Sequence, residues 1–132
     1  TMQRPDLFGA VVCAVPLLDM LRYHKLLAGA SWMAEYGNPD DPEARAFIAE
    51  YSPYQNLSPD TDYPEIFFWT NTRDDRVHPG HPRKMVARME EQGHPVLYYE
   101  NTEGGHSAGA NLRQAARTSA LTTVYLLQQL SD

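Results

Sequence analysis

The sequence predicts an α/β fold of three mainly parallel strands flanked by helices. Three short runs of apolar, β-branched and aromatic residues, Gly9 to Val15, Glu65 to Asn71 and Pro95 to Asn101, are each bounded by turn residues, as expected of buried strands. Helical periodicity fills the segments after the second and third runs. The order strand, helix, strand, helix, with strands apolar on both faces, is that of a parallel sheet whose crossovers pack on it.

The first run, GAVVCAV, has no charge and no proline, and it leads into a helical region expected over Leu17 to Gly37. Glu35 to Glu65 then holds eight acids against Arg45 alone, with breakers at Gly37-Asn38-Pro39 and Ser58-Pro59-Asp60, so it reads as loops around short helices. After the second run, Met85, Val86 and Met89 share a face of a helix expected over Pro82 to Gln92, stopped by Gly93. The last helix is expected over Leu112 to Leu130, with Ala115, Ala116, Leu121, Val124, Tyr125, Leu127 and Leu130 offering one broad apolar face.

Length and composition narrow the function. A chain of 132 residues is one domain's worth, and 42% hydrophobic with 21% charged residues is a folded rather than a disordered composition. The single Cys13 has no partner for a disulfide or a cysteine zinc cluster and is expected in the core. A formal charge of -6 is the wrong sign for a nucleic-acid or anionic-membrane surface, so neither is an expected partner. No run reaches the length of a membrane span, and Asp6, Asp19, Arg22 and Lys25 spoil the apolar stretch from Leu7 to Leu18 as a signal peptide. A soluble protein of the cytoplasm or periplasm is expected. Because the chain opens on Thr1 with no capping signal before Gln3-Arg4-Pro5-Asp6, its N-terminus is expected to continue something longer.

In an open parallel sheet, functional residues gather beyond the carboxyl ends of the strands. Two loops there carry chemistry: Thr72-Arg73-Asp74-Asp75-Arg76-Val77 and Glu103-Gly104-Gly105-His106-Ser107. Asp74 and His106 lie about one βαβ crossover apart, and parallel neighbours are about 4.8 Å apart, so the carboxylate and imidazole can meet. Either alone would pass for a solvated loop residue. Together they match the acid and base of a catalytic triad. Gly105-His106-Ser107-Ala108-Gly109 also fits the G-x-S-x-G nucleophile elbow, which would make Ser107 the nucleophile of an esterase. Chain order opposes that reading, since the acid and then the His should follow the Ser, whereas no His follows His106. His78 and His81 are three apart, but Pro79 and Pro82 break the helix a metal site would need, so no metal is expected.

Five blocks in order, RPDLFGAVVCAVPLLDMLRYHK (4 to 25), ASWMAEYGNPD (30 to 40), YSPYQNL (51 to 57), TRDDRVHPGH (72 to 81) and YYENTEGGH (98 to 106), resemble the prolyl oligopeptidase (prolyl endopeptidase) family of serine peptidases. The resemblance covers essentially the whole chain. It implies the C-terminal portion of an α/β-hydrolase fold, three mainly parallel strands flanked by helices, with Asp74 as triad acid and His106 as triad base. It further implies that Arg76 binds a substrate carbonyl, that Trp32 stacks on the substrate proline, and that Tyr36 and Val77 line the same pocket. A flat ring suits a proline side chain, and a guanidinium suits a carbonyl. Without the resemblance, Trp32 and Tyr36 at i, i+4 would be a core face, and Arg76 an ion pair with Asp74 or Asp75.

The family's β-propeller, oxyanion-hole contributors and nucleophile elbow have no counterpart in residues 1–132, so a partial catalytic domain is expected. Its implied substrates are short proline-containing peptides, it needs no cofactor, and it should be inactive alone. A different reading makes it a non-catalytic self-associating α/β module. The isolated chain is expected to form a homodimer or higher oligomer, either by edge pairing of the uncharged first strand or by swapping of the Leu17 to Gly37 helical region between copies.

Overall fold

The computed structural model describes residues 1–106 and 110–131. Its centre is a parallel sheet in the order β1 (Val11–Ala14), β2 (Ile66–Asn71), β3 (Val96–Asn101). Val11 is in register with Ile66, and Ile66 with Val96. The strands expected from sequence are present, trimmed at their ends. β1 stops because Val15 turns to φ 40°, a left-handed conformation that a β-branched residue rarely adopts, while its N–H still donates to Trp69 O at 2.9 Å.

The residues of β2 alternate between two packed faces. Ile66 and Phe68 join Leu18, Leu57, Tyr63, Met85, Val86 and Met89 in the main core, so α4 (Gly80–Glu91) covers that face. This helix starts two residues before the expected Pro82. It ends where Gly93, at φ 78°, lets the chain turn and the His94 N–H reach Met89 O. On the opposite face Phe67 meets Tyr125 of α5 (Leu112–Leu130) at 5.6 Å between ring centroids. Asn111 caps α5 by accepting the Gln114 N–H, while the Gln114 side chain accepts the Ala110 N–H.

The last helix therefore has its expected bounds, but its expected apolar face is mostly uncovered. Tyr125 and Thr118 are buried, whereas Leu112, Val124, Leu127 and Leu130 are exposed. With three strands among the described residues, the sheet offers α5 little width to pack against. β3 is likewise an edge, so Leu97 and Tyr98 are exposed rather than buried on both faces. Cys13 is half-buried against the main core, and burial pushes its thiol up to about 11.

The region from Leu17 to Gly37 is helical only in short pieces. Tight 3-10 turns at Tyr23–Lys25 and Leu27–Trp32 lead into α1 (Met33–Tyr36). The tight turns bring the Tyr23 carbonyl against Gly29, where any side chain would collide with it. Gly37, at φ 92°, turns the chain toward α2 (Pro42–Tyr51), which Asp41 caps, and α3 (Pro53–Asn56) follows. These pieces enclose a second core of Met20, Tyr23 and Ile48. A buried polar cluster joins it to the sheet: Asp19 pairs with Lys84 of α4 at 2.5 Å and accepts from Gln55 of α3 at 2.9 Å, while its N–H donates to His81 Nδ1 at 3.0 Å. Among the described residues, no helix is long and apolar enough to cross a membrane.

Candidate active site

The ends of β2 and β3 bring the two loops singled out in the sequence together. After β2 the chain turns through Thr72 and Arg73, and the Asp74 N–H donates back to Asn71 O at 3.1 Å. The Asp74 side chain is fully buried, which would be costly for an unsatisfied carboxylate. Its Oδ1 accepts the N–H groups of Arg76 and Val77, both at 2.9 Å. His106 Nδ1 lies 2.9 Å from Oδ2 and 3.1 Å from Oδ1. The imidazole is partly open to solvent, its side chain 24% exposed.

This arrangement fixes which ring nitrogen does what. Two backbone donors mark Asp74 as an acceptor, so His106 Nδ1 must carry the proton that it shares with the carboxylate. Nε2 is then the basic nitrogen. A proton taken up at Nε2 would make an imidazolium held against a buried carboxylate.

The other sequence-derived positions fall into two groups. Arg76 and Val77 directly follow Asp74: Val77 is buried, while Arg76 is exposed and its guanidinium makes no hydrogen bond or ion pair among the described residues. The ion pair with Asp74 or Asp75 that would have explained Arg76 is thus not formed there. Trp32 and Tyr36 are half-buried on the second core, and Tyr36 meets Tyr23 edge-on at 5.8 Å. Among the described residues, no hydrogen bond or aromatic contact joins this pair to Arg76 or His106. Ser107, the alternative nucleophile, lies outside the described residues.

The remaining histidines have separate partners. His78 Nδ1 accepts the Gly80 N–H, and His94 Nε2 sits 2.9 Å from Ser58 O. His24 Nε2 is 3.1 Å from Asp40. Burial pushes His81 down to about 4, against a weaker upward pull from Asp19. No group of three or more His, Cys, Asp or Glu suited to a metal ion occurs among the described residues.

Sequence reasoning missed three residues near His106. Asp75 Oδ1 faces the His106 N–H at 3.4 Å, and Asn71 and Asn101, the last residues of β2 and β3, are buried beneath the loop. Their matching positions at the two strand ends were a usable signal.

A parallel sheet sandwiched by helices, with a carboxylate and an imidazole paired above adjacent strand ends, belongs to the catalytic domain of an α/β hydrolase. The model of the prolyl oligopeptidase family matches residues 1–132, and the chain belongs to that family of serine peptidases. An uncharacterized peptidase of Sinorhizobium fredii is 56% identical over 131 residues, 99% of this chain and 18% of the relative. A prolyl oligopeptidase of Omphalotus olearius is 40% identical over 89% of this chain and 17% of its own length. Among solved structures, a prolyl endopeptidase superposes with a TM-score of 0.89 at 41% identity, covering 98% of this chain and 20% of that one. A post-proline cleaving enzyme from Rickettsia typhi gives 0.87 at 37% identity, over 97% and 19% respectively. The chain thus spans less than a fifth of the length of these curated relatives.

Proposed function

We propose that residues 1–132 are a partial peptidase domain supplying the acid and base of a Ser-Asp-His triad, in a proline-specific peptidase acting on short peptides. The observation that carries this reading is the paired contact of His106 Nδ1 with the buried Asp74 carboxylate. The nucleophile would be a serine upstream of Thr1. Its Oγ attacks the scissile carbonyl while its proton passes to His106 Nε2. The C–N bond then breaks, and the same proton goes to the leaving amine. Water repeats the two transfers to release the acyl group. Throughout, Asp74 holds the ring in one tautomer.

In this reading the exposed Arg76 guanidinium donates to a substrate carbonyl. Trp32 stacks on the proline ring, with Tyr36 and Val77 as further walls of that pocket. Two residues of three do not make a triad, so the chain by itself should be inactive. A serine-reactive fluorophosphonate tests this directly. It should leave the 132-residue chain unlabelled and label a polypeptide that includes the upstream serine. Stoichiometric labelling of the chain that disappears in Ser107→Ala would instead establish the esterase reading.

A second reading, self-association of the chain, is favoured by β1. The Val15 N–H points to β2, so strand alternation turns the N–H and C=O groups of Val12 and Ala14 away from it. This bare edge adjoins exposed Leu7, Phe8 and Leu130, the last lying beside Gly9. The occupant that fits an uncharged, self-complementary ladder is a second copy of β1.

A further inference from the structure

We propose that Asn71 is a positioning residue for His106, acting through the peptide bond between Gly105 and His106. This rests on the reading of His106 as the triad base. Asn71 ends β2, is fully buried, and donates from Nδ2 to Gly105 O at 2.7 Å. The N–H of that same peptide faces Asp75 Oδ1. A peptide unit is rigid, so holding its oxygen from one side and its N–H from the other sets the direction in which the His106 side chain leaves the backbone. Asp74 then fixes the ring. Asn71 at the end of β2, with Asp74 and Asp75 in the loop that follows it, thus determines the placement of one histidine in the loop after the neighbouring strand.

The loop needs such a restraint. Gly104 and Gly105 precede His106, Gly104 at φ 108°, and glycine leaves the backbone the widest choice of conformations. Asn71 is itself held in one orientation. Its Oδ1 accepts from Asn101 Nδ2 at 2.9 Å, so its amide NH2 must face Gly105. Asn101 Nδ2 also donates to Thr118 Oγ1 of α5, and Asn101 Oδ1 accepts from the Tyr99 hydroxyl. Thr118 completes the line by donating to Gln114 O. The buried polar line thus runs from the backbone of α5 through Thr118, Asn101 and Asn71 to the histidine loop. The position of Asn71 needs an acceptor on one side and a donor on the other, and an amide supplies both.

The test is NMR of the 132-residue chain labelled at all its nitrogens, reading the tautomer of His106 and the exchange of its Nδ1–H with water. In the wild type the Nδ1–H form should be found, and Asp74→Asn should abolish its protection. A wild type in the Nε2–H form would overturn the triad reading itself, and this inference with it. If the wild type is as expected, Asn71→Leu should keep the amide spectrum of the sheet and speed exchange of the Nδ1–H roughly tenfold, the worth of one buried hydrogen bond. A folded Asn71→Leu whose Nδ1–H stays as protected as wild type would overturn the role of Asn71 while leaving the triad intact. If that variant does not fold, the side-chain amide of Asn71 in the wild type decides. Slow exchange supports the clamp, and exchange as fast as that of the exposed Asn111 overturns it.

Discussion

The Asp74 carboxylate and His106 Nδ1 are 2.9 Å apart although 32 residues separate them in the chain. The parallel pairing of β2 with β3 makes this possible, because Asn71 and Asn101 are in register and both loops leave the sheet on the same side. The carboxylate is buried and the imidazole is reachable. That division suits a base that must meet substrate and an acid that must only orient it.

In a polypeptide that joins this chain to the proposed upstream serine, Asp74→Asn should lower kcat by about 10,000-fold, since the amide can hold the ring in the wrong tautomer. His106→Ala should cost a similar factor. KM for a proline peptide should change little in either variant, because the pair acts mainly in the transition state. Near-normal turnover by Asp74→Asn would disprove the assignment.

Trp32→Ala should behave differently. If stacking and apolar burial on the substrate proline are lost, binding weakens by about 1 to 3 kcal/mol, read as a rise in KM for proline substrates with a smaller effect on kcat. Arg76→Ala should also act through substrate affinity, as the guanidinium has no structural partner among the described residues. A Trp32→Ala enzyme with unchanged KM would return Trp32 to the second core, where it already packs.

Much of this was legible in the sequence for physical reasons that can be named. Ile66 to Trp69 packs on both faces of the sheet and so reads as a continuous apolar run. Gly93 marks a helix end through local backbone chemistry that needs no tertiary context. Asp74 and His106 were found by topology, because a parallel sheet collects its loop residues at one end. The roles proposed for Trp32 and Arg76 rest on family resemblance, as no local pattern separates a stacking tryptophan from a core one. The exposure of Leu127 and Leu97 could not be read at all. Apolar periodicity says which residues share a face and is silent about what covers it. Asn71 and Asn101 were passed over because asparagine at a strand end usually signals a turn.

The buried polar cluster predicts how stability depends on pH. His81 is nearly inaccessible and held down to about 4 against an ordinary 6.5, with Asp19, Lys84 and His78 as its charged or titratable neighbours. Between those values the unfolded chain binds a proton that the folded one does not, so stability rises with pH across this window and falls on acidification. The full difference is about 3 kcal/mol, lost between roughly pH 6.5 and 4. Asp19 and Glu100, both held below the usual carboxylate range, extend the loss to lower pH. Urea melts should show His81→Asn, which can still accept the Asp19 N–H, with a flatter profile from pH 6.5 to 4. An unchanged slope would place the proton uptake elsewhere.

Self-association should respond to a charge on the bare strand edge. Val12 lies at the middle of β1 with its backbone groups turned away from β2, and nothing charged, bulged or prolyl guards it. Antiparallel pairing of two such edges would join the sheets of two copies into one of six strands and bring the exposed Leu7, Phe8 and Leu130 of each copy toward the seam. Sedimentation over a dilution series should therefore find a dimer or larger species at micromolar concentration. Val12→Lys should shift the population toward monomer with the circular dichroism spectrum retained, because each new ammonium would have to be desolvated next to its symmetry mate. A wild-type chain that is monomeric and well folded at that concentration would refute edge pairing. A dimer untouched by Val12→Lys would move the interface away from β1, to the exposed Val124 and Leu127 on the outer face of α5.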